Sequence, residues 1–587
     1  MRDGSPFFYV ALTVAALLPA PSWSHADFLS VHIGYVVPQE RTPQPNAAEN
    51  IAAMMLTTQA WYAEQLDRWG FGPKTFRFEG GDDPIVRTVA TPTTAAQIRS
   101  DIWGQTISAA QGAGLSVWTS GQVWFLISEA HQQEPDGDVI GGTALGASNA
   151  NGADPGTAML GGDTIFRLHP DILRNNRTYN GVTIPEIGPY PLVQGASFPS
   201  FEQSTFSSIG SSVQGAAIHE LGHAFGLPHE FLNDANFNGN VMGNGLRGLR
   251  GVVEPELFAQ DDTRLSYATA LALSRNRYFN RDQAFRDNTR PTLSVTTSGS
   301  VDPVNGLLEI DFSGSDASGL AAALLVRNGD IVDQLSLQGG SVDTKFATPY
   351  YDPGQSSQYE VLLFDTQGNR RGQTVTITPS ATANRAPRPH ISIDHSIVHA
   401  GEFFTLRATS SSDPDNSGGL RVEWDFDGDG IFDTTPSTSL TRSMSFSEPG
   451  IRRVMARVSD AGGAAAISAP IALRVLGEPG DADLDGDVDA DDYAAWRATF
   501  GDRTIPYFAG DFNGNGWVDA ADYTVWRKTQ EGLGVIVAVP EPIGIVNCLI
   551  ALAWAMSCGR RLRRRCNDQM EHRFDLSEVS HSQLTAQ

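Results

Sequence analysis

The sequence predicts a multidomain protein: an α/β (α+β) domain, then two all-β sandwiches, then a small α-helical module with EF-hand-like loops. The chain has 587 residues, and a single hydrophobic core stops growing near about 250–300 residues. Near residue 290, a mixture of strand and helix patterns gives way to short alternating strands separated by turn residues. Near residue 480 an acidic segment begins that returns thirty positions later.

Composition limits the classes of function. The formal net charge of −26 at pH 7 argues against binding to nucleic acid and favours a well-solvated acidic surface with sites for calcium. The 3 cysteines, Cys548, Cys558 and Cys566, all lie near the C-terminus. The chain before them can form no internal disulfide, so its stability has to come from hydrophobic cores and bound ions.

The N-terminal segment 1–26 has the pattern of a signal peptide. Arg2 precedes the apolar stretch 7–18, and residues 24–26 provide a suitable cleavage position. The apolar stretch is too short for a membrane-spanning helix. We therefore expect the protein to be exported after cleavage behind Ala26.

Residues 27–289 are expected to form the α/β domain. Residues 28–36 alternate as a β-strand does, residues 46–69 have the periodicity of an amphipathic helix, and residues 121–127 indicate another strand. Residues 141–162 are rich in Gly, Ala and Asn. That composition suits a loop or an edge segment near a cleft.

One segment of this domain has the spacing of a three-histidine zinc site. His219 and His223 are four residues apart, so on a helix both imidazoles can reach one Zn²⁺ at roughly 2.0–2.1 Å. Glu220 lies one position round the helix, where a carboxylate can take a proton from water at the metal without being a ligand. Gly226 tolerates a positive φ, which lets the chain turn so that His229 approaches from a third direction. Three protein ligands leave a fourth position open, as in catalytic zinc sites.

With these residues, the sequence resembles the metzincin clan of zinc metallopeptidases, in which the long histidine motif is followed by a Met-turn. Met242 is the candidate for that turn, and an ordinary core methionine is the alternative. The resemblance implies that Zn²⁺ polarises the scissile carbonyl while Glu220 deprotonates the water and passes the proton to the leaving amine. Some metzincins place a tyrosine two residues after the Met, but Asn244 stands there. Glu230 is similar to the astacin pattern, whereas the short gap to Met242 is similar to matrix metallopeptidases, so the family within the clan stays open.

A second polar segment has oxygen side chains at alternate positions: Asp234-x-Asn236-x-Asn238-Gly239. Such a pattern can hold calcium, but the position that closes a calcium loop is Gly245, which has no acid. A turn built by Asn and Gly is the favoured interpretation.

Residues 290–380 are predicted to form an immunoglobulin-like β-sandwich. Alternating strands are expected at 292–295, 307–310 and 359–363, and turn residues separate them. We interpret this domain as a spacer.

Residues 386–476 are predicted to form the second sandwich. This part resembles a PKD domain in three segments: Asp413-Pro414-Asp415, Trp424 to Gly430, and Glu448-Pro449-Gly450. Four acids there could chelate calcium, although a PKD turn uses such residues structurally and this is the favoured interpretation: Asp425, Asp427, Asp429 and Asp433.

Residues 479–533 contain the clearest internal repeat. The segment from Gly480 to Tyr493 returns from Gly510 to Tyr523, and each copy leads into a helix. Oxygen ligands at loop positions 1, 3, 5, 9 and 12, a main-chain carbonyl at 7 and glycine at 6 suit calcium. The candidate ligands are Asp481, Asp483, Asp485, Asp487, Asp489 and Asp492 in the first loop and Asp511, Asn513, Asn515, Trp517, Asp519 and Asp522 in the second. The first loop has more acids, which predicts tighter calcium binding there.

This duplicated pattern resembles a type I dockerin, which implies about two bound Ca²⁺ and a cohesin-like partner. In dockerins, loop positions 10 and 11 help to choose the cohesin. Here they are Ala490-Asp491 and Ala520-Ala521, without the hydroxyl pair of cellulosomal dockerins.

Segment 539–565 resembles a PEP-CTERM sorting tail. It has Val539-Pro540-Glu541-Pro542, an apolar run over 543–558 and an arginine cluster over 560–565. The resemblance implies a membrane segment with its arginines inside and processing by an exosortase-type enzyme. The tail 566–587 continues beyond the usual end of such signals, so a permanent anchor is the alternative to cleavage.

Together, these features predict an exported bacterial zinc metalloendopeptidase that acts on a protein or peptide and is held at the cell surface, in the outer envelope, or secreted. The alternative is a non-catalytic, calcium-dependent cell-surface or matrix binding protein with a vestigial zinc site. Glu220 weighs against that alternative, because loss of the base is the simplest route to inactivity.

Overall fold

The protein is described by a computed structural model that covers residues 29–133, 139–142, 144–148, 154–177, 183–184, 188–189, 205–280, 287–415 and 419–532. A mixed α/β region is followed by β-sandwich regions and few helices, which is the predicted order of folds. The predicted signal peptide and sorting tail lie outside the described residues. Within the part of the chain that is described, no helix combines the length and apolar character needed to cross a bilayer.

A five-stranded sheet forms the centre of the α/β region. The strands of this region are β1 (Ser30–Val37), β2 (Val86–Ala90), β3 (Gln122–Ser128), β4 (Gln132–Gln133), β5 (Val139–Ile140), β6 (Ala144–Ser148), β7 (Gly156–Gly161), β8 (Thr183–Ile184), β9 (Gly188–Pro189), β10 (Asn238–Asn240) and β11 (Asp262–Arg264). The sheet has the order β2-β1-β3-β7-β6, in which β6 is antiparallel to β7 and the other pairs are parallel. The strands expected at 28–36 and 121–127 are β1 and β3.

Helices cover both faces of this sheet. Helices α1 and α4 lie on one face, and α2 and α3 lie on the other. The helices of the region are α1 (Ala47–Arg68), α2 (Ala95–Arg99), α3 (Ile102–Gly112), α4 (Phe206–Ala224), α5 (Leu249–Val253), α6 (Pro255–Phe258) and α7 (Tyr267–Leu273). The helix expected at 46–69 is α1.

The central strand β3 shows how the two faces are filled. Val123, Phe125 and Ile127 belong to the core shared with α1 and α4, whereas Trp124 and Leu126 belong to the core formed with α2 and α3. Successive side chains of a strand face opposite sides, so a strand covered on both sides is continuously apolar. The sheet therefore gives α4 a firmly packed support.

The glycine-rich stretch 141–162 contains the edge strand β6 and the inner strand β7. A Cβ at Gly146 would lie 2.2 Å from the main-chain oxygen of Glu220, and one at Gly156 would lie 2.0 Å from that of Ala224. Glycine is needed where a strand approaches another backbone this closely. The prediction of a loop or edge segment holds for β6 and is wrong for β7.

The first β-sandwich pairs a three-stranded and a four-stranded sheet. Its strands are β12 (Thr292–Thr296), β13 (Leu308–Ser315), β14 (Leu320–Arg327), β15 (Asp330–Ser336), β16 (Ser341–Thr348), β17 (Ser357–Asp365) and β18 (Arg370–Ile377). The orders are β12-β13-β16 and β15-β14-β17-β18, with antiparallel pairs throughout.

This sandwich is packed onto the α/β region. Leu324, Leu362 and Phe364, on the outer face of the four-stranded sheet, belong to the same hydrophobic core as α1, α4 and α7. Arg277 donates hydrogen bonds across the same junction, to the main-chain oxygen of Gln367 and the side chain of Asn369, both at 2.9 Å. The interpretation as a spacer is therefore wrong, because the two domains share one core.

The second β-sandwich also contacts the α/β region. Its strands are β19 (Ser392–Ile393), β20 (Ile397–His399), β21 (Phe404–Arg407), β22 (Arg421–Asp425), β23 (Thr441–Met444), β24 (Gly450–Ser459), β25 (Ala465–Ile467) and β26 (Ile471–Leu476), arranged as β19-β21-β23 and β20-β26-β24-β22 with β25 beside β24. Arg474 on β26 is buried, and its guanidinium lies 3.4 Å from the Glu64 carboxylate of α1. Arg453 donates to the main-chain oxygen of Trp69 at 2.5 Å.

The C-terminal module contains the helices α8 (Ala490–Ala498) and α9 (Ala520–Gly532), each following one acidic loop. The two halves exchange equivalent hydrogen bonds: the indole N–H of Trp496 donates to the Asp519 carbonyl, and that of Trp526 donates to the Asp489 carbonyl, both at 2.9 Å. This reciprocal pairing is what a duplicated sequence produces when its copies pack face to face.

Candidate metal centre

Helix α4 carries the first two histidines of the zinc motif. Its N-terminus is capped by Thr205, whose hydroxyl accepts the Ser208 amide at 3.2 Å while the Ser208 hydroxyl accepts the Thr205 amide at 3.0 Å. Such reciprocal capping satisfies main-chain donors that a helix start leaves open. After α4, the chain turns at Gly226, which has φ +91°. The positive φ expected at this glycine is confirmed.

The three histidines converge on one point. The Nε2 of His223 lies 3.1 Å from the Nε2 of His219 and 3.1 Å from the Nε2 of His229. The ring planes of His219 and His223 are 89° apart, and those of His223 and His229 are 85° apart. The imidazoles thus reach the common point from different directions.

Two of these imidazoles are oriented by main-chain oxygens. The Nδ1 of His219 lies 2.7 Å from the Val241 carbonyl, and the Nδ1 of His223 lies 2.8 Å from the Leu227 carbonyl. Because a carbonyl only accepts, each Nδ1 carries the proton and each Nε2 presents a lone pair. Such partners fix the tautomer and the ring orientation of metal ligands.

This donor set fits a zinc ion. The Nε2 lone pairs of His219 and His223, 3.1 Å apart, repel one another unless a cation lies between them, and a tetrahedral Zn²⁺ with bonds of about 2.0–2.1 Å spaces its ligand atoms about 3.3 Å apart. Burial, with the neighbouring His223 as a further cause, lowers the pKa of His219 to about 4, and burial lowers the pKa of His223. The imidazoles of His219 and His223 are therefore neutral and able to coordinate at neutral pH.

Glu220 is a buried carboxyl group next to His219. Its side chain is 8% exposed, and burial raises its pKa to about 7. Strand β6 passes directly over this turn of α4, as the short distance from Gly146 to the Glu220 backbone requires. A carboxylate with a pKa near neutrality suits a general base.

Met242 is buried against helix α4. It is 1% exposed, and a Cβ added at Gly222 would lie 2.4 Å from its sulfur, so Gly222 is the residue that lets the methionine approach α4. The Gly243 amide donates to the Asn240 carbonyl at 3.0 Å, which closes a tight turn around Val241 and Met242. The same turn therefore contains both Met242 and the carbonyl that orients His219.

The side chain of Asp234 holds this turn. Its carboxylate accepts the amides of Asn240 at 3.1 Å, Asn244 at 2.6 Å and Gly245 at 2.9 Å. The favoured interpretation of this segment, a turn rather than a calcium loop, agrees with these hydrogen bonds. The link between Asp234 and the turn at Met242 was not predicted; the signal for it is an Asx residue followed by several Asn and Gly.

Glu230 follows the third histidine and is fully buried. Its carboxyl group accepts the Ser266 hydroxyl, and its amide donates to the Met242 carbonyl at 3.0 Å. Burial raises its pKa to about 8. Glu230 therefore connects the chain after His229 to the turn at Val241 and Met242.

The first acidic loop of the C-terminal module gathers carboxylates in two overlapping groups. Asp481, Asp483 and Asp492 have oxygens within 4.8 Å of one another, and so do Asp487, Asp489 and Asp492. The Asp485 carboxylate accepts the Asp487 amide at 3.0 Å. Burial and then the Asp492 charge raise the pKa of Asp481 to about 6.

The second acidic loop is held by main-chain hydrogen bonds to its side chains. Asp511 accepts the Gly516 amide at 2.7 Å, and Asp522 accepts the amides of Asn513 at 3.0 Å and Asp519 at 2.8 Å. Trp517 is the residue expected to offer its main-chain carbonyl to calcium, and its amide donates to the side-chain oxygen of Asn515 at 2.8 Å. The bend glycine of each loop has a positive φ, +99° at Gly486 and +80° at Gly516, as the calcium-loop pattern requires.

The PKD-like turn also brings acids together. Asp425, Asp427 and Asp429 have oxygens within 4.8 Å of one another. The Asp425 carboxylate accepts the amides of Gly428 at 2.7 Å and Gly430 at 2.9 Å, and Asp433 accepts the Phe426 amide at 2.8 Å. These hydrogen bonds agree with the favoured structural role.

No protein-family model matches the sequence, and no curated protein is significantly similar to it. Among solved structures, wild-type OgpA from Akkermansia muciniphila is similar over 59% of this chain and 92% of its own, with 14% identity and a TM-score of 0.35. A catalytically inactive OgpA, solved in complex with an O-glycopeptide substrate, has 12% identity, the same coverage and a TM-score of 0.35. The fibronectin(III)-like modules of Clostridium thermocellum CbhA cover 32% of this chain and 93% of their own, with 15% identity and a TM-score of 0.14. These similarities are too distant to support an inference about activity.

Proposed function

We propose that this protein is an exported zinc-dependent metalloendopeptidase in which Glu220 is the general base. The observation that carries the proposal is the convergence of three histidine Nε2 atoms, with 3.1 Å between neighbours, beside a buried carboxyl group. Zinc bound there would polarise the scissile carbonyl and lower the pKa of the attacking water. The remaining chemistry belongs to side chains of this chain.

Glu220 performs the proton transfers. Its pKa of about 7 leaves a substantial fraction ionised at neutral pH, so an Oε atom can accept a proton from the attacking water. The same pKa lets the protonated group release that proton to the leaving amine, which has to be protonated to depart. Burial of the side chain supports both steps, because it raises the basicity of the carboxylate and keeps bulk water from competing for the proton.

Strand β6 supports a peptide as the substrate. It is the last strand of its sheet and lies over α4 at Glu220 and His223. The edge of a sheet can pair with an extended peptide through main-chain hydrogen bonds. A peptide bound in this way would run alongside the three histidines.

Calcium binding by the C-terminal module and placement at the cell surface are part of the same proposal. Calcium binding is supported by the two carboxylate groups of the first loop and by the positive φ of Gly486 and Gly516. Export, exosortase processing and a cohesin-like partner rest on the sequence patterns alone.

The test uses the full chain and the variant Glu220→Gln. We expect both proteins to bind one equivalent of zinc, measured by elemental analysis, and the variant to hydrolyse casein at least about 100-fold more slowly. Undiminished hydrolysis by the variant would refute the role of Glu220. A zinc-loaded wild-type protein that cleaves no member of a diverse peptide library would instead favour the calcium-dependent binding protein.

A further inference from the structure

The third histidine sits on a loop that both β-sandwich domains contact. This ligand loop comprises residues 226–233, between the end of α4 and the segment that leads to the Met-turn. His219 and His223 are placed by one helix, whose geometry fixes their spacing. His229 follows a glycine of positive φ, so its position depends on whatever restrains the loop.

The first sandwich holds the loop at two points. The Ile331 amide of β15 donates to the His229 carbonyl at 2.8 Å, so that His229 and Asp330 form a parallel β-bridge. The Arg370 guanidinium of β18 donates to the Gly226 carbonyl at 2.7 Å. Strands β15 and β18 are the two outer strands of the same four-stranded sheet. One sheet thus fixes the turn before the ligand and the backbone of the ligand itself.

The second sandwich holds the far end of the loop. Both ends of the Asn233 side-chain amide are used: its N–H₂ donates to the Ala469 carbonyl at 2.7 Å, and its oxygen accepts the Ile391 amide at 2.8 Å. Asn233 is 4% exposed and has φ +53°. A buried side chain satisfied on both sides fixes its backbone more strongly than a surface contact does.

We propose that Arg370 and Asn233 are positioning residues for the third zinc ligand, so that the β-sandwich domains are part of the metal-binding unit. The inference rests on the proposed function, since it assigns these residues to the same zinc site. Without Arg370, the carbonyl of Gly226 loses a charge-assisted partner and the glycine regains its conformational freedom. Without Asn233, the loop is released at its other end.

The experiment measures metal binding, not hydrolysis alone. The full chain is stripped of metal and titrated with Co²⁺, whose visible absorption reports on the ligands, and zinc affinity is measured by competition with a chelator. We expect Arg370→Ala and Asn233→Ala each to weaken zinc binding at least about tenfold, as loss of a partner that orients a ligand does. The Co²⁺ spectrum should change in the same variants.

Three further variants separate positioning from general stability. Arg370→Lys keeps a cationic donor and Arg370→Gln keeps a neutral one, and both should recover part of the affinity; they also serve if the alanine variant does not fold. Arg371→Ala is the matched control, because Arg371 is the adjacent arginine on β18 and is exposed. It should bind zinc as the wild type does.

The outcomes distinguish this inference from the proposed function. Wild-type zinc affinity in folded Arg370→Ala and Asn233→Ala overturns the positioning role, even if their melting temperatures fall. Weakened binding with recovery by Arg370→Lys supports it, whether or not the wild type cleaves peptides. A wild-type protein that binds neither Co²⁺ nor Zn²⁺ overturns the inference and the proposed function together.

Discussion

Replacing Asp234 with alanine should loosen the turn that contains Met242. The carboxylate accepts three main-chain amides, those of Asn240, Asn244 and Gly245, at 2.6–3.1 Å. A hydrogen bond to a charged group contributes about 1.5–3 kcal/mol, so the amide hydrogens should exchange about 10- to 150-fold faster once the acceptor is gone. The three hydrogen bonds together stabilise the turn by less than three times this value, because burial disfavours the charged form of Asp234, as its raised pKa indicates, and this offsets part of their contribution. We expect a loss of about 3–5 kcal/mol for the region.

Hydrogen–deuterium exchange with mass spectrometry measures this effect on the full chain. Faster exchange should be confined to the peptide that covers residues 240–245. Asp343→Ala is the control, because Asp343 is an exposed aspartate of the first sandwich. Unchanged exchange in Asp234→Ala would refute the assignment of this carboxylate to the turn. Slower exchange of residues 240–245 when calcium is added to the wild type would show that the segment is a calcium loop instead.

Three other predictions follow from single side chains. Met242→Leu conserves volume, so it should retain zinc and lower the free energy of unfolding by less than about 1.5 kcal/mol, whereas Met242→Ala should lower it by about 2–5 kcal/mol. Thermal melting and zinc analysis test both variants, and loss of zinc in the leucine variant would mean that the sulfur itself is required. Burial raises the pKa of Asp333 to about 7, above the unfolded value of about 3.9, so the folded state is favoured by the protonated side chain below about pH 4 and loses this stabilisation as the pH rises through 7. Asp333→Asn cannot ionise, so it should raise the melting temperature more at pH 8 than at pH 5. An equal rise at both pH values would contradict this prediction. Calorimetry with Ca²⁺ should show that Asp481→Ala removes a tighter site than Asp511→Ala does, since the first loop has more acids; equal affinities of the two sites would contradict it.

Much of the α/β region could be predicted because its signals are local. The periodicity over 46–69 and the alternation over 28–36 matched α1 and β1 within two residues at each end. Strand β7 was missed because its residues, from Gly156 to Gly161, include few of the β-branched and aromatic types that mark strands. Its small residues are required by the backbone of α4 above it, which is a tertiary constraint that no local pattern contains.

The packing of the first sandwich against the α/β region has a signal in the sequence of its strands. A sandwich strand with one face in water alternates apolar and polar residues. Strand β14 is instead apolar without interruption from Leu320 to Val326, and all of these residues are buried. Strand β17 has the same character over 361–364. Continuous apolar strands in a small antiparallel sandwich indicate that another domain covers the outer face.

The histidine motif illustrates the limit of reading a site from spacing. A helix alone brings His219 and His223 together, because residues four positions apart lie on the same helix face. His229 also needs a loop held in place, and the restraint on that loop comes from Arg370, which is 144 positions away from the Gly226 carbonyl that it binds. The four-stranded sheet that carries Arg370 is itself anchored by the core that it shares with α4. The helix that carries His219 and His223 is therefore connected to the sheet that carries Arg370 through one hydrophobic core, and the proposed metal-binding unit extends at least to the end of β18.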